Sequence, residues 1–290
     1  MKIGAHLSTR GSFPRVTRRA HELGLNCLQS FSRNPRGGRQ RLLKPDEIVS
    51  WNAARRAHNI EMVCLHGPYT LNLASNREEV RDYSIETLAG DLRRSAQLDV
   101  PYLIIHPGAH TGAGLEVGVE RIAYGLNRAM KDARPALKAG VRLLLELMSG
   151  AGSEIGSTPR ELAMIRDRLD DADSVGICVD TCHSFVRGYP LHTSTGLAEY
   201  IQELDCALGL ESVKIIHLND ARAPFNSRKD GHEKLGDGHL GEEALTRIIN
   251  HPALREHPFI LEVPVEDECE YKVQADWARA RRDAINEKDR

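Results

Sequence analysis

The stretch PYLIIH, residues 101–106, is a short apolar run that ends on a histidine, and the same design recurs along the chain. Five other runs end on a histidine or a carboxylate: EMVCLH (61–66), VRLLLE (141–146), VGICVD (175–180), SVKIIH (212–217) and FILE (259–262). Their last residues follow one another at intervals of 34 to 45 residues. A strand and a returning helix take about that length. The pattern therefore predicts parallel strands, each of which delivers one polar side chain at its carboxyl end.

Two more apolar runs, KIGAHL (2–7) and LNCLQSF (25–31), bring the number of candidate strands to eight. Segments with helical periodicity lie between the strands: 45–58, 77–97, 115–138, 158–168, 195–207 and 242–249. Strict alternation favours a parallel sheet, and eight repeats favour its closure. We expect a single α/β domain over residues 1–290, a (β/α)8 TIM barrel with its active site at the C-terminal ends of the strands.

Composition limits the class of protein. The chain has 290 residues, of which 41% are hydrophobic and 28% are charged, and its net charge is −2. This balance excludes a globally basic nucleic-acid binder but says nothing about a local patch. The N-terminus lacks the apolar region of a signal peptide, and no stretch approaches the roughly 18 apolar residues of a membrane span. We expect a cytoplasmic protein with no membrane partner, and the six scattered cysteines to be reduced.

The side chains at the strand ends have the chemistry of metal ligands. Three further candidates lie close to them in the sequence, His183 in DTCH and the pair Asp230 and His232. The whole set is His66, His106, Glu146, Asp180, His183, His217, Asp230, His232 and Glu262. Five imidazoles with four carboxylates favour Zn²⁺, with Mn²⁺ or iron as substitutes. Since one ion takes three or four protein ligands, nine ligands predict two or three ions and a bridging carboxylate.

Three segments resemble the signatures of a known family, the endonuclease IV type of apurinic/apyrimidinic endonucleases. GICVDTCH (176–183) and HLNDARAPFNSRKDGHEKLG (217–236) resemble its central and C-terminal signatures. HGPYTLNLA (66–74) resembles the first, although Thr70 and Leu71 stand where the family has an aliphatic residue and then Ile or Val. The resemblance extends over essentially the whole chain.

The resemblance implies a trinuclear zinc site. Its three ligand sets would be His66, His106 and Glu146; Glu146, Asp180, His217 and Glu262; and His183, Asp230 and His232. Glu146 would bridge two ions, and Glu262 would both bind metal and orient the attacking water, which makes these two residues the catalytic candidates.

The implied reaction is hydrolysis of the DNA phosphodiester bond 5′ to an abasic site, as in base excision repair. It leaves a 3′-hydroxyl and a 5′-deoxyribose phosphate, and the family also removes blocking groups from 3′ ends. The expected partner is double-stranded DNA with such lesions, and the expected state is a monomer.

A basic segment supports DNA as the partner. RNPRGGRQRLLK (33–44) contains five positive charges and no acid, so Arg33, Arg36 and Arg39 are candidate phosphate contacts. By resemblance, Arg36 matches an inserted arginine and Tyr69 a tyrosine of a DNA-penetrating loop. Thr70 makes that loop more polar than is usual.

Two other functions fit part of the pattern. A xylose-isomerase-like sugar isomerase or epimerase shares the barrel and a metal-ligand ring, but it needs only one or two ions. The third ligand set and the basic segment speak against it. A lesion-binding protein without catalysis is favoured only if the departure ELMSG (146–150) disables Glu146. Further departures are Gly231, Arg222 and Asn226, which touch no proposed ligand.

Overall fold

A computed structural model describes residues 1–9, 12–36 and 41–282. Its centre is a closed barrel of eight strands. The strands are β1 (Ile3–His6), β2 (Cys27–Phe31), β3 (Met62–His66), β4 (Tyr102–Ile105), β5 (Arg142–Glu146), β6 (Val175–Asp180), β7 (Val213–His217) and β8 (Phe259–Leu261). All eight predicted strands are confirmed.

The strands follow one another around the barrel in chain order, and every neighbouring pair is parallel. The barrel closes where β1 pairs with β8, with Ile3 opposite Phe259. Because all strands run the same way, their carboxyl ends meet at one mouth. The prediction of a (β/α)8 barrel is confirmed.

Helices surround the barrel. Their bounds are α1 (Phe13–Glu22), α2 (Pro45–Ala57), α3 (Glu78–Gln97), α4 (Leu115–Asp132), α5 (Arg134–Lys138), α6 (Pro159–Arg166), α7 (Thr181–Arg187), α8 (Ser194–Leu208), α9 (Gly241–Asn250) and α10 (Glu270–Arg281). Among the described residues, no helix has the length and apolar character needed to span a bilayer.

The predicted helical segments are confirmed with one difference, and three helices were not predicted. Segment 115–138 forms two helices, because Pro135 has no N–H to continue the helical hydrogen bonds and instead occupies the first turn of α5. The helices missed by periodicity are α1, α7 and α10. α7 is only seven residues long and follows β6 without a loop, so its sequence is too short for a periodic signal.

Side-chain alternation along the strands explains where the polar residues lie. Cys64, Ile104, Cys178 and Ile215 belong to a cluster of fully buried residues inside the barrel. The residues two positions further along these strands point to the same side, since the period of a strand is two. These residues are His66, His106, Asp180 and His217. They therefore form the next layer toward the mouth.

Candidate metal centre

The strand ends converge on a cleft of about 550 Å³ at the mouth of the barrel. His66, Glu146, Asp180 and His217 are the last residues of their strands, and His106 and Glu262 directly follow β4 and β8. Imidazoles and carboxylates from all these strands face one another across a few ångströms. Six of the nine predicted ligands are brought together in this way, and His183 from α7 and Asp230 and His232 from the segment after β7 join them.

Glu146 lies at the centre of the group. Its Oε2 atom is 3.0 Å from Nε2 of His66 and 3.4 Å from Nε2 of His106. Its Oε1 atom is 3.1 Å from Nδ1 of His217. One carboxylate thus faces two sets of imidazoles with its two oxygens, which is the geometry of a bridging ligand.

The second set gathers around His217. Its Nδ1 atom lies 3.1 Å from Oε2 of Glu262 and 3.7 Å from Oδ2 of Asp180, besides its contact with Glu146. Ligand atoms about 2.0–2.2 Å from a tetrahedral zinc ion are roughly 3.3 Å apart. The observed separations have the size that a shared ion requires.

The third set lies beside α7. His183 Nε2 is 3.2 Å from Oδ1 of Asp230, and His232 Nε2 is 3.8 Å from the same oxygen. Within the described chain, the buried Nε2 atom of His232 has no hydrogen-bond partner. An imidazole nitrogen that is buried, unpaired and close to carboxylates is suited to a metal ion, so the donor set fits the implied group.

Four groups of potential ligands meet the distance requirement among the described residues, and three of them are the sets implied by the sequence resemblance. The fourth combines Asp180 and His232 with Cys182. Burial, together with the carboxylates of Asp180 and Asp230, raises the pKa of the Cys182 thiol. The thiol donates to the Gly231 carbonyl oxygen at 3.4 Å.

Asp180 and His183 are placed by the start of α7. Asp180 is both the last residue of β6 and the N-cap of α7, and its Oδ1 atom accepts the backbone N–H of His183 at 2.9 Å. The hydroxyl of Ser184 donates to the Asp180 carbonyl oxygen at 2.8 Å. The strand-to-helix junction thereby fixes the positions of the Asp180 and His183 side chains.

Asn219 is a functional residue that the sequence interpretation missed. Its Nδ2 atom donates to Oδ2 of Asp180 at 2.8 Å, and its Oδ1 atom accepts the backbone N–H of Glu262 at 2.8 Å. It thus joins two candidate ligands from different strands. The sequence signal for it was a polar residue two positions after His217 in HLND, a spacing that strand alternation would place on the same side as His217.

The segment that carries Asp230 and His232 is closed by one buried carboxylate. Asp220 is fully buried, and it accepts backbone N–H groups at distances from 2.7 to 3.3 Å. The donors are Ala221, Gly236, Gly238, Leu240 and Gly241. A short antiparallel pair of Asp220–Ala221 with His232–Glu233 completes the anchor. Asp220 therefore holds the ends of this long segment together.

The buried carboxylates stay ionised. Burial by itself raises the pKa of the Glu146 carboxyl, but His217 and His106 outweigh it and hold that pKa well below the usual range. Burial likewise opposes ionisation of Glu262, and His217 and His6 lower its pKa well below the usual range. Ionised carboxylates that face imidazoles are the donor chemistry of a cation site.

Tyr69, one of the predicted DNA contacts, lines this cleft. The Tyr69 side chain is 60% exposed, and its ring centroid is 5.1 Å from that of Phe31 and 5.8 Å from that of His106. Thr70 beside it is exposed. Arg36 is also exposed, at the end of a turn in which its N–H bonds to Oδ1 of Asn34 at 3.0 Å.

The structure corrects the expectation for Arg33. Its side chain is only 9% exposed, and its guanidinium pairs with the buried Asp91 at 2.8 Å and donates to the Thr87 carbonyl oxygen. A guanidinium that compensates a buried carboxylate is not free to bind phosphate. Arg41 pairs with Glu47 at 2.6 Å. Arg39 lies outside the described residues.

Comparison with known proteins shows the family of the chain. The sequence profile of the family described as xylose isomerase-like TIM barrel matches residues 17–282. A protein named probable endonuclease 4 from Heliobacterium modesticaldum is 40% identical over 280 residues, which are 97% of this chain and 99% of that protein. Another, from Methanoculleus marisnigri, is 41% identical over 265 residues, covering 91% of this chain and 93% of that protein.

A solved structure also matches this chain in fold and in sequence. Endonuclease IV from Thermus thermophilus has a TM-score of 0.83 and 32% identity, covering 97% of this chain and 100% of that chain. Fold and profile define the class of xylose isomerase-like TIM barrels. Within that class, the chain belongs to the endonuclease IV family. A D-tagatose 3-epimerase-like protein, with a TM-score of 0.75 but 20% identity, shares the fold.

We expect Asp220→Asn to destabilise the segment that carries Asp230 and His232. The amide offers one oxygen instead of two and turns an N–H₂ group toward backbone donors, which costs about 1–3 kcal/mol of unfolding free energy. Urea unfolding of the variant measures this loss. The control is Asp237→Asn, because Asp237 lies in the same segment but is exposed. Equal stability of the two variants contradicts the anchoring role.

Proposed function

We propose that this protein is a metal-dependent DNA repair endonuclease that hydrolyses the phosphodiester bond 5′ to abasic sites. The observation that carries the proposal is the meeting of three ligand sets, two of which share Glu146, in one open cleft of a chain from the endonuclease IV family. Its substrate is double-stranded DNA with abasic sites or blocked 3′ ends. We propose that the chain acts as a monomer.

The ions proposed are three Zn²⁺ per chain, with Mn²⁺ as a substitute. Two sets share Glu146, and the third consists of His183, Asp230 and His232. When bound, such ions neutralise charge on phosphoryl oxygens and lower the pKa of a coordinated water. A phosphodiester hydrolase needs both effects.

The protein's own residues have separate tasks in this proposal. The carboxylates of Glu146 and Glu262 are fixed in position, and they lie beside the place from which a water attacks the phosphorus atom. Tyr69, exposed at the rim and packed edge-on against Phe31, offers a rigid apolar face to the space left by a missing base. An abasic nucleotide has no base to unstack, so little energy is needed to turn it into the cleft.

The sugar isomerase alternative is less supported. Relatives named endonuclease 4 reach about 40% identity over nearly the full chain, whereas the epimerase-like neighbour at 20% identity supports the fold alone. A site for one small sugar has no use for a third ligand set at an open rim. The observed third set favours the nuclease.

The sequence departures leave the ligands in place. Leu147 and Met148 of ELMSG are buried, and the Leu147 contact to the site is its carbonyl oxygen, 3.0 Å from Nδ1 of His183. A main-chain contact survives a change of side chain. At Gly231, an added Cβ would find only Arg222 within 4 Å, at 3.7 Å, so this position widens the cleft without disturbing a ligand.

The first test is Glu146→Gln. The amide keeps the shape of the side chain but loses the charge that serves two ligand sets, so we expect incision of an abasic duplex to fall at least about a thousandfold and metal content to drop. The measurements are steady-state incision and elemental analysis. The control is Glu154→Gln, a carboxylate that lines the same cleft but belongs to none of the ligand groups. Incision by Glu146→Gln at the control's rate contradicts the assignment.

The second test concerns the rim. Tyr69→Ala should lower kcat/KM on a duplex abasic site far more than on a short single-stranded one, which has little stacking to disrupt. Thr70→Leu should raise duplex incision by restoring an apolar wedge, with metal content unchanged in both variants. An equal loss on both substrates for Tyr69→Ala means that this side chain does not probe the lesion.

The third test concerns phosphate binding. Removing Arg36 should weaken duplex binding and reduce the slope of log K against log salt by about 0.9, the value for one phosphate contact. Fluorescence anisotropy at several salt concentrations measures this for Arg36→Ala. Arg134→Ala is the matched control, because Arg134 is an exposed arginine in α5, which leads into the opposite end of the barrel. An unchanged slope for Arg36→Ala excludes the contact.

A further inference from the structure

Gln29 lies on β2 beneath the metal centre and is fully buried. Its amide contacts side chains from four other parts of the barrel wall. The Nε2 atom is 2.6 Å from Oε1 of Glu262 and 2.9 Å from Nδ1 of His6. The Oε1 atom is 2.9 Å from Nε2 of His217 and 3.3 Å from Sγ of Cys64. A single neutral side chain thus contacts two candidate ligands of the same set.

These contacts determine which way the amide points. The ionised carboxylate of Glu262 only accepts hydrogen bonds, so the N–H₂ group of Gln29 faces it. The amide oxygen then faces Nε2 of His217, and that nitrogen must donate its proton to it. In the neutral ring, the form in which histidine binds a metal, the lone pair is then on Nδ1, the atom that faces Glu146 and Glu262.

We propose that Gln29 is a positioning residue that makes Nδ1 of His217 the metal-binding atom and fixes the neighbouring Glu262 carboxylate. Histidines that bind metals usually donate their second N–H to a carboxylate, a carbonyl or water. Here a side-chain amide takes that role and also donates to another ligand, so that the orientations of the two ligands depend on each other. This proposal rests on the proposed function for the reaction that the site carries out, whereas the contacts of Gln29 do not depend on that function.

Two variants remove the amide while preserving its approximate volume, Gln29→Leu and Gln29→Met. Both lose the acceptor for His217 and the donor for Glu262. The matched control is Ser30→Ala. Ser30 is the next residue on β2, is also buried, and donates to the Leu7 carbonyl oxygen at 2.8 Å on the other side of the strand.

Zinc-loaded protein, titrated with a chromophoric chelator, gives the affinity of each class of site. We expect both Gln29 variants to bind one class about 10–100-fold more weakly, the usual effect of losing a hydrogen bond to a ligand. Ser30→Ala should retain the wild-type affinity. Unchanged affinity in a folded Gln29 variant overturns the proposal.

The ring tautomer provides a readout that needs no Gln29 variant. Long-range ¹H–¹⁵N spectra of zinc-loaded wild-type protein with labelled histidine should show His217 protonated at Nε2, with its signals assigned by their absence from His217→Gln. Protonation at Nδ1 overturns the proposal, even if neither Gln29 variant folds.

Incision of abasic DNA by the wild type separates the two proposals. If the wild type does not incise but the Gln29 variants bind zinc more weakly, the reaction is wrong and the positioning role stands. If the wild type incises abasic DNA, but the Gln29 variants keep the wild-type zinc affinity and His217 is protonated at Nδ1, only the proposed role of Gln29 is wrong.

Discussion

The ionised carboxylate of Glu146 is the constraint on which the mouth of this barrel depends. A buried charge is tolerated only when opposite charge or hydrogen-bond donors surround it. Imidazoles from three other strands approach its two oxygens within 3.4 Å, and a fourth imidazole, on α7, lies at 3.5 Å. The side chains that satisfy Glu146 are the same ones that offer nitrogen ligands, so the requirement for a stable fold and the requirement for a metal site are met by one arrangement.

Around Glu146, the candidate ligands are held in position by polar side chains that are either neutral or fully paired. Gln29 and Asn219 are buried amides that join ligands from different strands, and Asp220 gathers the backbone N–H groups of the long segment after β7. Arg33 has a comparable task further out, where it compensates Asp91 and ties the segment after β2 to α3. Each of these residues keeps functional side chains in place, so that little rearrangement is needed when a substrate binds.

The exposed rim has a different character from the buried centre. Tyr69, Thr70 and Arg36 are exposed, whereas every candidate ligand except the exposed Asp230 is buried or half-buried. In the proposed function this division separates recognition of DNA shape at the rim from hydrolysis in the cleft. Departures from the family pattern, such as Thr70 and Gly231, lie at the rim or open into the cleft. In the proposed function they therefore bear on which lesions are accepted more than on the reaction.

The sequence by itself determined the barrel, its strands and the ligand-type side chains. An apolar run that ends in a polar residue and recurs at the spacing of a βα unit admits few other folds, and the strand period of two gives each end residue its direction. Only the tertiary structure showed that Arg33 pairs with Asp91, that Gln29 and Asn219 join the ligands, and that Asp180 itself caps α7. These facts depend on contacts between residues far apart in the chain. Local patterns cannot contain them, because the partner of a buried polar group is chosen by the packing of the closed barrel.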